Sequence, residues 1–388
     1  MKKYLIIGLI IVLGIGLFVL GYFLRKSKTP VPPGEGGGNP PPSATTPVVT
    51  QGKDSQLKLE SLGFGVRGFF VDKDGGATIV QPSGHIITIK DGKNTLVSET
   101  VIAEITQVDF SYDGKKVLFG FGGRNNQQFS VYDIEKKSWQ PLVSGVTATA
   151  WNPNDLRVAY LLKKTGYSSI STLDFGVSKP TAKEISRVHA EDLELAWFGK
   201  DEIAFWNKNN SRVPGSAWKI NILTKKLTPL FSDKTSLSLT SDSVGANILA
   251  SFDKAGALAL SLFDKQGELL KELVVKTLPS KCDFNIEEEI EKAVSANGKD
   301  KTTQKTYLYC AAPKNFEVIT GELMVDSYGK KEVFSLDNFF KFSVPSGSFS
   351  LIYEGPEGLD ASEVQVADEK LYFINRYDNK LYSIKLES

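Results

Sequence analysis

Val108-Asp109-Phe110-Ser111-Tyr112-Asp113-Gly114-Lys115-Lys116-Val117-Leu118-Phe119 reads as an apolar strand, a turn on Asp-Gly and a second apolar strand. The pattern returns as Thr149-Ala150-Trp151-Asn152-Pro153-Asn154-Asp155 leading to Val158-Ala159-Tyr160. Further copies start at Leu193-Glu194-Leu195-Ala196-Trp197, Leu237-Ser238-Leu239, Cys282-Asp283-Phe284 and Val364-Gln365-Val366. An earlier one spans Arg67 to Thr100, and its Asp74-Gly75 turn lies 39 residues before Asp113-Gly114. Each copy continues into a hairpin with a polar turn, such as Glu135-Lys136-Lys137 or Thr224-Lys225-Lys226. Self-similarity at a fixed period of this size marks a repeat architecture, and the runs between turn signals are of strand length.

Four-stranded units at this period predict an all-β fold, a β-propeller, because radial stacking covers both faces of every sheet. The count is seven blades, with six as the alternative because the first copy and the fourth from last are degenerate. The last unit stops after Lys380-Leu381-Tyr382-Ser383-Ile384-Lys385-Leu386, one strand short. The segment Leu57-Lys58-Leu59-Glu60-Ser61-Leu62 is expected to complete it, so the propeller domain is assigned to 57–388.

Residues 1–28 form a separate object. Tyr4 to Leu24 is uncharged, and as a helix it spans roughly 31 Å, the thickness of a bilayer's hydrocarbon core. It follows Lys2 and Lys3 and is closed by Arg25, Lys26 and Lys28. No small-x-small cleavage site follows a short apolar core, so the segment reads as an uncleaved N-terminal transmembrane signal-anchor rather than a signal peptide or a core helix. Positive charge nearly ties across the segment. The scarcity of cysteine and the use of short anchors for exported domains point to a single pass through the plasma membrane with the C-terminal domain extracytoplasmic. Residues 29–56 hold seven prolines between Pro30 and Pro47, with Gly34, Gly36, Gly37 and Gly38, and are expected to be a disordered linker. Over Thr29 to Thr50 its reach lies between about 26 Å as a flexible coil and about 70 Å as extended polyproline.

The chain sums to +1, and the five basic side chains around the anchor leave residues 29–388 at −4. That balance argues against a nucleic-acid partner, whose binding rests on neutralising phosphates.

Cys282 and Cys310 are the only cysteines. The repeat places them on the first and second strands of one blade, within reach of a disulfide that would anchor the otherwise loose insertion Asn285 to Lys305. Two buried thiols are the alternative, and zinc would need more ligands. The two histidines, His85 and His189, fit loop or turn roles, and no G-x-S-x-G nucleophile elbow occurs. Asp72-Lys73-Asp74-Gly75 lacks the remaining calcium ligands, and Gly120-Phe121-Gly122-Gly123 lacks the lysine and helix of a phosphate loop. No catalytic residue, metal site or cofactor is assigned. Trp139, Trp151, Trp197, Trp206 and Trp218 fall on strands and read as packing between blades, with an aromatic sugar platform as the alternative.

The loops joining second to third strands share one face of the disc and are polar: Arg124-Asn125-Asn126, Lys163-Lys164, Lys208 to Arg212 and Arg376-Tyr377-Asp378. Leaving out the long loop Pro313 to Asn338, they hold seven positive charges including Lys254, against Asp253 and Asp378. The other face carries Asp-Gly turns and Glu287-Glu288-Glu289. Loops on a rigid scaffold are where binding resides. Arg124, Asn126, Lys163, Lys164, Lys208, Arg212 and Arg376 are therefore the candidates for engaging an anionic partner.

Ser111 to Phe119 resembles the S-P-D-G-K-x-I-A-F signature of WD40-like (PD40) repeats in TolB-type propellers, with Tyr112 in place of proline. Lys281-Cys282 and Tyr309-Cys310-Ala311-Ala312-Pro313 resemble membrane-anchored bacterial propellers in which one blade carries such a cysteine pair. The resemblance covers residues 64–386 in pattern and implies an envelope location and a protein-binding role. TolB's α/β domain is not seen ahead of the repeats, where anchor and tether stand instead, so its partners do not carry over. The expected function is a membrane-tethered interaction or scaffold module with an unknown envelope partner. A small-molecule or glycan binder, or a hydrolase working in the propeller channel, is the alternative. Convergent carboxylates in the channel would favour the alternative, and a plugged channel the interaction module.

Overall fold

The structure is a computed structural model that describes residues 59–90, 92–123, 126–190, 192–208, 210–291, 301–315, 320–344 and 346–386. Seven four-stranded antiparallel sheets follow one another as blades 1 to 7, at 68–98, 105–141, 146–188, 193–234, 238–272, 282–353 and 361–385. In blades 1 to 6 the strands lie in chain order from the first to the fourth. Blade 7 supplies three strands of its own, and Leu59–Gly65 pairs antiparallel with Lys380–Lys385 to complete it, with Leu59 opposite Ile384. Seven blades and this closure match the sequence expectation. The anchor and the whole linker lie outside the described residues, among which no helix is long and apolar enough to cross a membrane.

Each of the seven interfaces between blades has its own apolar cluster. Between blades 1 and 2, Val80 and Ile86 meet Val117, Phe119 and Tyr132. Between blades 7 and 1, Leu381 and Tyr372 meet Val71 and Ile79. Second strands are covered on both sides, which is why Lys116–Phe121 and Asn247–Lys254 read as unbroken apolar runs rather than as alternation. The first strands ring the axis, those of blades 7, 1, 2, 3 and 4 touching in turn.

The repeat signature is explained at its turn. Ser111 Oγ lies 2.7 Å from Asp113 Oδ1 and accepts from Lys116 N at 3.0 Å. Gly114 adopts φ 68°, and a Cβ there would lie 2.4 Å from the Phe70 ring of blade 1. Glycine is therefore required both by conformation and by the neighbouring blade. Asn152 and Asp242 repeat the role in blades 3 and 5, their side chains accepting from Asn154 N and Ala246 N at 2.8 Å each.

Blade 6 departs from the repeat. Its first two strands, Cys282–Glu291 and Lys301–Pro313, pair residue for residue from Cys282–Cys310 to Glu291–Lys301. The third strand pairs with the second only as far as Tyr307. The insertion expected as a loose loop is thus largely a two-stranded ribbon projecting from the turn face, with Glu287 opposite Lys305. Opposite charges facing across a ladder favour this register.

Candidate functional site: the loop face and the channel beneath it

The cysteines are register partners at the root of the ribbon, with Cα atoms 4.1 Å apart and sulfurs joined at 2.11 Å. Cys310 is fully buried and Cys282 nearly so. His189 is exposed, its Nδ1 3.1 Å from Gly166 O, and His85 is half-buried at a strand start. None of the five tryptophans is exposed. Trp151 Nε1 donates to Asp109 O of blade 2 at 3.2 Å, and Trp197 Nε1 donates to Ala150 O of blade 3 at 3.1 Å. They tie blades together and form no platform.

The candidates on the loop face divide. Asn126, Lys163, Lys164 and Lys208 are exposed, and Arg124 lies outside the described residues. Arg212 is exposed but pairs with Glu322 at 3.1 Å. Arg376 is withdrawn from the surface, its side chain 9 % exposed and its Nη1 2.8 Å from Asp360 Oδ2. It is a structural cation and not a contact for an anionic partner. Lys254 is likewise paired, with Glu272.

Arg376 belongs to a cluster between blades 6 and 7 that the repeat pattern does not announce. Lys281 Nζ is 2.7 Å from Asp337 Oδ2, 3.0 Å from Asp360 Oδ1, 2.8 Å from Ser335 Oγ and 3.1 Å from Tyr328 Oη. Burial works against the Lys281 charge, but Asp337, Tyr328 and Asp360 outweigh it and hold the ammonium above the ordinary lysine range. Burial raises Asp337 despite Lys281, and its Oδ1 has no hydrogen-bond partner. Burial pushes Tyr328 up to about 12.

The cluster pins a long loop. Residues 320–336, with a short π-helical turn at Glu322–Ser327, leave blade 6 and cross neighbouring blades. Gly321 N donates to Asp253 Oδ1 of blade 5 at 2.9 Å, where a Cβ would lie 2.0 Å from Ser236 Oγ. Ser211 of blade 4 bonds Asp326, and Met324 packs on Leu258. Tyr328 Oη bonds Asp360 at 2.7 Å, and its carbonyl accepts from Arg376 Nη2 at 2.8 Å. Lys331 reaches the field of Arg67, Arg376 and Glu363. The loop therefore extends from blade 4 to blade 7 beside the channel mouth. It displays Phe334 and Leu336, 44 % and 39 % exposed, beside Tyr377 of the blade 7 turn, 45 % exposed. The two rings stack at 4.8 Å, and the Arg376 guanidinium lies 5.1 Å from the centre of the Phe334 ring.

Beneath the loop the first strands carry acids on four blades. Burial raises Asp109 to about 6 against the hydrogen bond from Gln107. Burial raises Asp283 to about 7 although Val366 N and Phe284 N donate to it. Burial, with repulsion from Asp109, raises Glu363 to about 8 against the attraction of Arg67 and Lys331. Glu194 is raised by burial too, and its Oε2 accepts from Trp206 Nε1 at 3.0 Å. Glu363 is exposed, at the bulge where Ala361–Ala367 breaks its register with Lys370–Asn375. Among the described residues no three His, Cys, Asp or Glu side chains come together as metal ligands.

No family model matches the chain. No curated protein matches it either. Among solved structures it is similar to the β-propeller domain of the Trilobed protease from Pyrococcus furiosus, at 14 % identity and a TM-score of 0.51, covering 82 % of this chain and 94 % of that one. It is similar to virginiamycin B lyase from Staphylococcus aureus, at 12 % identity and a TM-score of 0.52, covering 86 % and 100 %. TolB from Acinetobacter baumannii is a further neighbour, at 10 % identity and a TM-score of 0.42 over 82 % and 65 %. The first of these is described as having an open velcro topology, whereas this ring is closed by Leu59–Gly65. These likenesses show the propeller fold and nothing finer.

Proposed function

We propose that the protein is a TolB-like, WD40-like propeller of the bacterial cell envelope, anchored by residues 4–24, that binds a partner protein outside the cytoplasm through its loop face. The observation carrying this reading is loop 320–336. It is held by a buried ion cluster and presents Phe334 and Leu336 to solvent on a rigid base, with Tyr377 of blade 7 stacked on Phe334. Exposed aromatics beside a fixed guanidinium are the composition of an interface anchor, and a preorganised surface loses little entropy on binding. Exposed Lys163, Lys164 and Lys208 extend the same face. The described chain starts at Leu59 on the turn face, because Gly65 pairs with Lys380 beside the loop face and Leu59 with Ile384 at the far end.

In-cell crosslinking of the tagged full-length protein in its own host, followed by mass spectrometry, tests the reading. A reproducible envelope protein linked through Lys163, Lys208 or loop 320–336 supports it. Recovery of the protein alone, where a known membrane complex is captured, refutes it. The channel carboxylates favour a second reading, a ligand site in the lumen.

A further inference from the structure

Four first strands carry an acid flanked by other residue types, Asp109, Glu194 and Asp283 in register with a second strand and Glu363 at a bulge where φ is 52°. Glu194 and Asp283 have fixed donors in Trp206 Nε1 and Val366 N. Asp109 has only the Gln107 amide, and no hydrogen bond from the described residues reaches Glu363. Both have unused acceptor capacity in a setting where desolvation disfavours their charge.

A second observation points to the same place. Thr149 Oγ1 is buried, its residue 6 % exposed, and has no hydrogen-bond partner. Thr149 and Trp151 lie on one face of Val146–Trp151, since alternate residues share a face. Trp151 Nε1 donates to Asp109 O at 3.2 Å, and Thr149 O accepts from Gln107 Nε2 at 3.4 Å. The orphan hydroxyl is therefore directed at the Gln107–Asp109 segment. A bound N–H donor would satisfy it.

We propose that the channel binds an organic polycation, an extended aliphatic amine whose ammonium groups lie between Asp109 and Glu363 and take a hydrogen bond acceptor in Thr149. A compact metal ion fits poorly, because the acids lie on separate strands and no three converge among the described residues. An extended amine places its charges at intervals and suits acids spread around a ring. Lys331, carried by the crossing loop into the field of Glu363, supplies an ammonium at the mouth that the ligand displaces.

The test is calorimetric titration of spermidine into the full-length protein in detergent micelles at low salt. The wild type is expected to show saturable binding. Glu363→Gln and Asp109→Asn each weaken it roughly tenfold or more, as loss of a charge-assisted contact should. Thr149→Val weakens it several-fold, and Lys331→Met tightens it. Thermal melts establish that each variant is folded. Absence of saturable heat, equal affinity in Glu363→Gln, or equal occupancy by magnesium alone would overturn the proposal. Partner capture through the loop face is read separately, so either result leaves that reading to its own test.

Discussion

Lys281 Nζ and Asp337 Oδ2 lie 2.7 Å apart with their side chains 1 % and 0 % exposed, joining the entry of blade 6 to its third strand beneath the crossing loop. Lys281→Met would leave Asp337 and Asp360 buried with Arg376 as the remaining cation. Breaking a buried pair by removing one member costs about 3–5 kcal/mol. The expected result is a matching loss of stability in denaturant titration, with faster proteolytic cutting within 320–336 than elsewhere.

The Cys282–Cys310 bond closes a separation of 28 residues. In the chain-entropy account a loop of that length is worth about 3–4 kcal/mol, less where the pairing is already held by a strand ladder. Intact mass under nonreducing conditions should be 2 Da below the reduced mass, a difference set by the two thiol hydrogens. Cys282→Ala with Cys310→Ala should lower the melting temperature and loosen the 282–313 ribbon in hydrogen exchange before the rest of blade 6.

Closure of the ring offers a third check. Leu62 and Phe64 pack against the blade 7 to blade 1 cluster, and Glu60 lies opposite Ser383. A chain beginning at residue 66 would expose the edge of Lys380–Lys385, and exposed edges recruit other strands. Relative to a chain beginning at residue 57, it should melt about 5–10 °C lower and gain light-scattering mass on heating. Equal melting would mean that the ring is held without its first strand.

The repeat was legible because its turn is made from local parts. Ser111, Asp113 and Gly114 satisfy one another within five positions, so their spacing survives in the sequence. Closure was legible because a unit visibly lacked a strand. Lys281, Asp337, Asp360 and Arg376 lie at the ends of elements or between them, far apart in the chain, and no period relates them, so the sequence does not show that Arg376 is drawn into an ion pair. The channel acids did leave a trace, an acidic residue inside the first strand of four blades. It does not stand out, because strand periodicity does not say whether a polar side chain meets bulk water or a lumen.

That difference between bulk water and lumen has a sign that can be measured. Asp109, Asp283 and Glu363 are raised to about 6, 7 and 8, so between about pH 4 and pH 8 the folded state binds more protons than the unfolded one. Stability carried by these groups is complete at the acid end of that window and is lost as the pH rises through their folded values. Because Glu363 is exposed, screening reduces its share, and the wild type is expected to melt lower at pH 8.5 than at pH 5. Glu363→Gln, which removes the charge and its repulsion with Asp109, should raise the melting temperature at pH 8.5 and leave it nearly unchanged at pH 4.5. If the variant and the wild type keep the same pH dependence, Glu363 titrates as an ordinary surface carboxylate and does not sense the lumen.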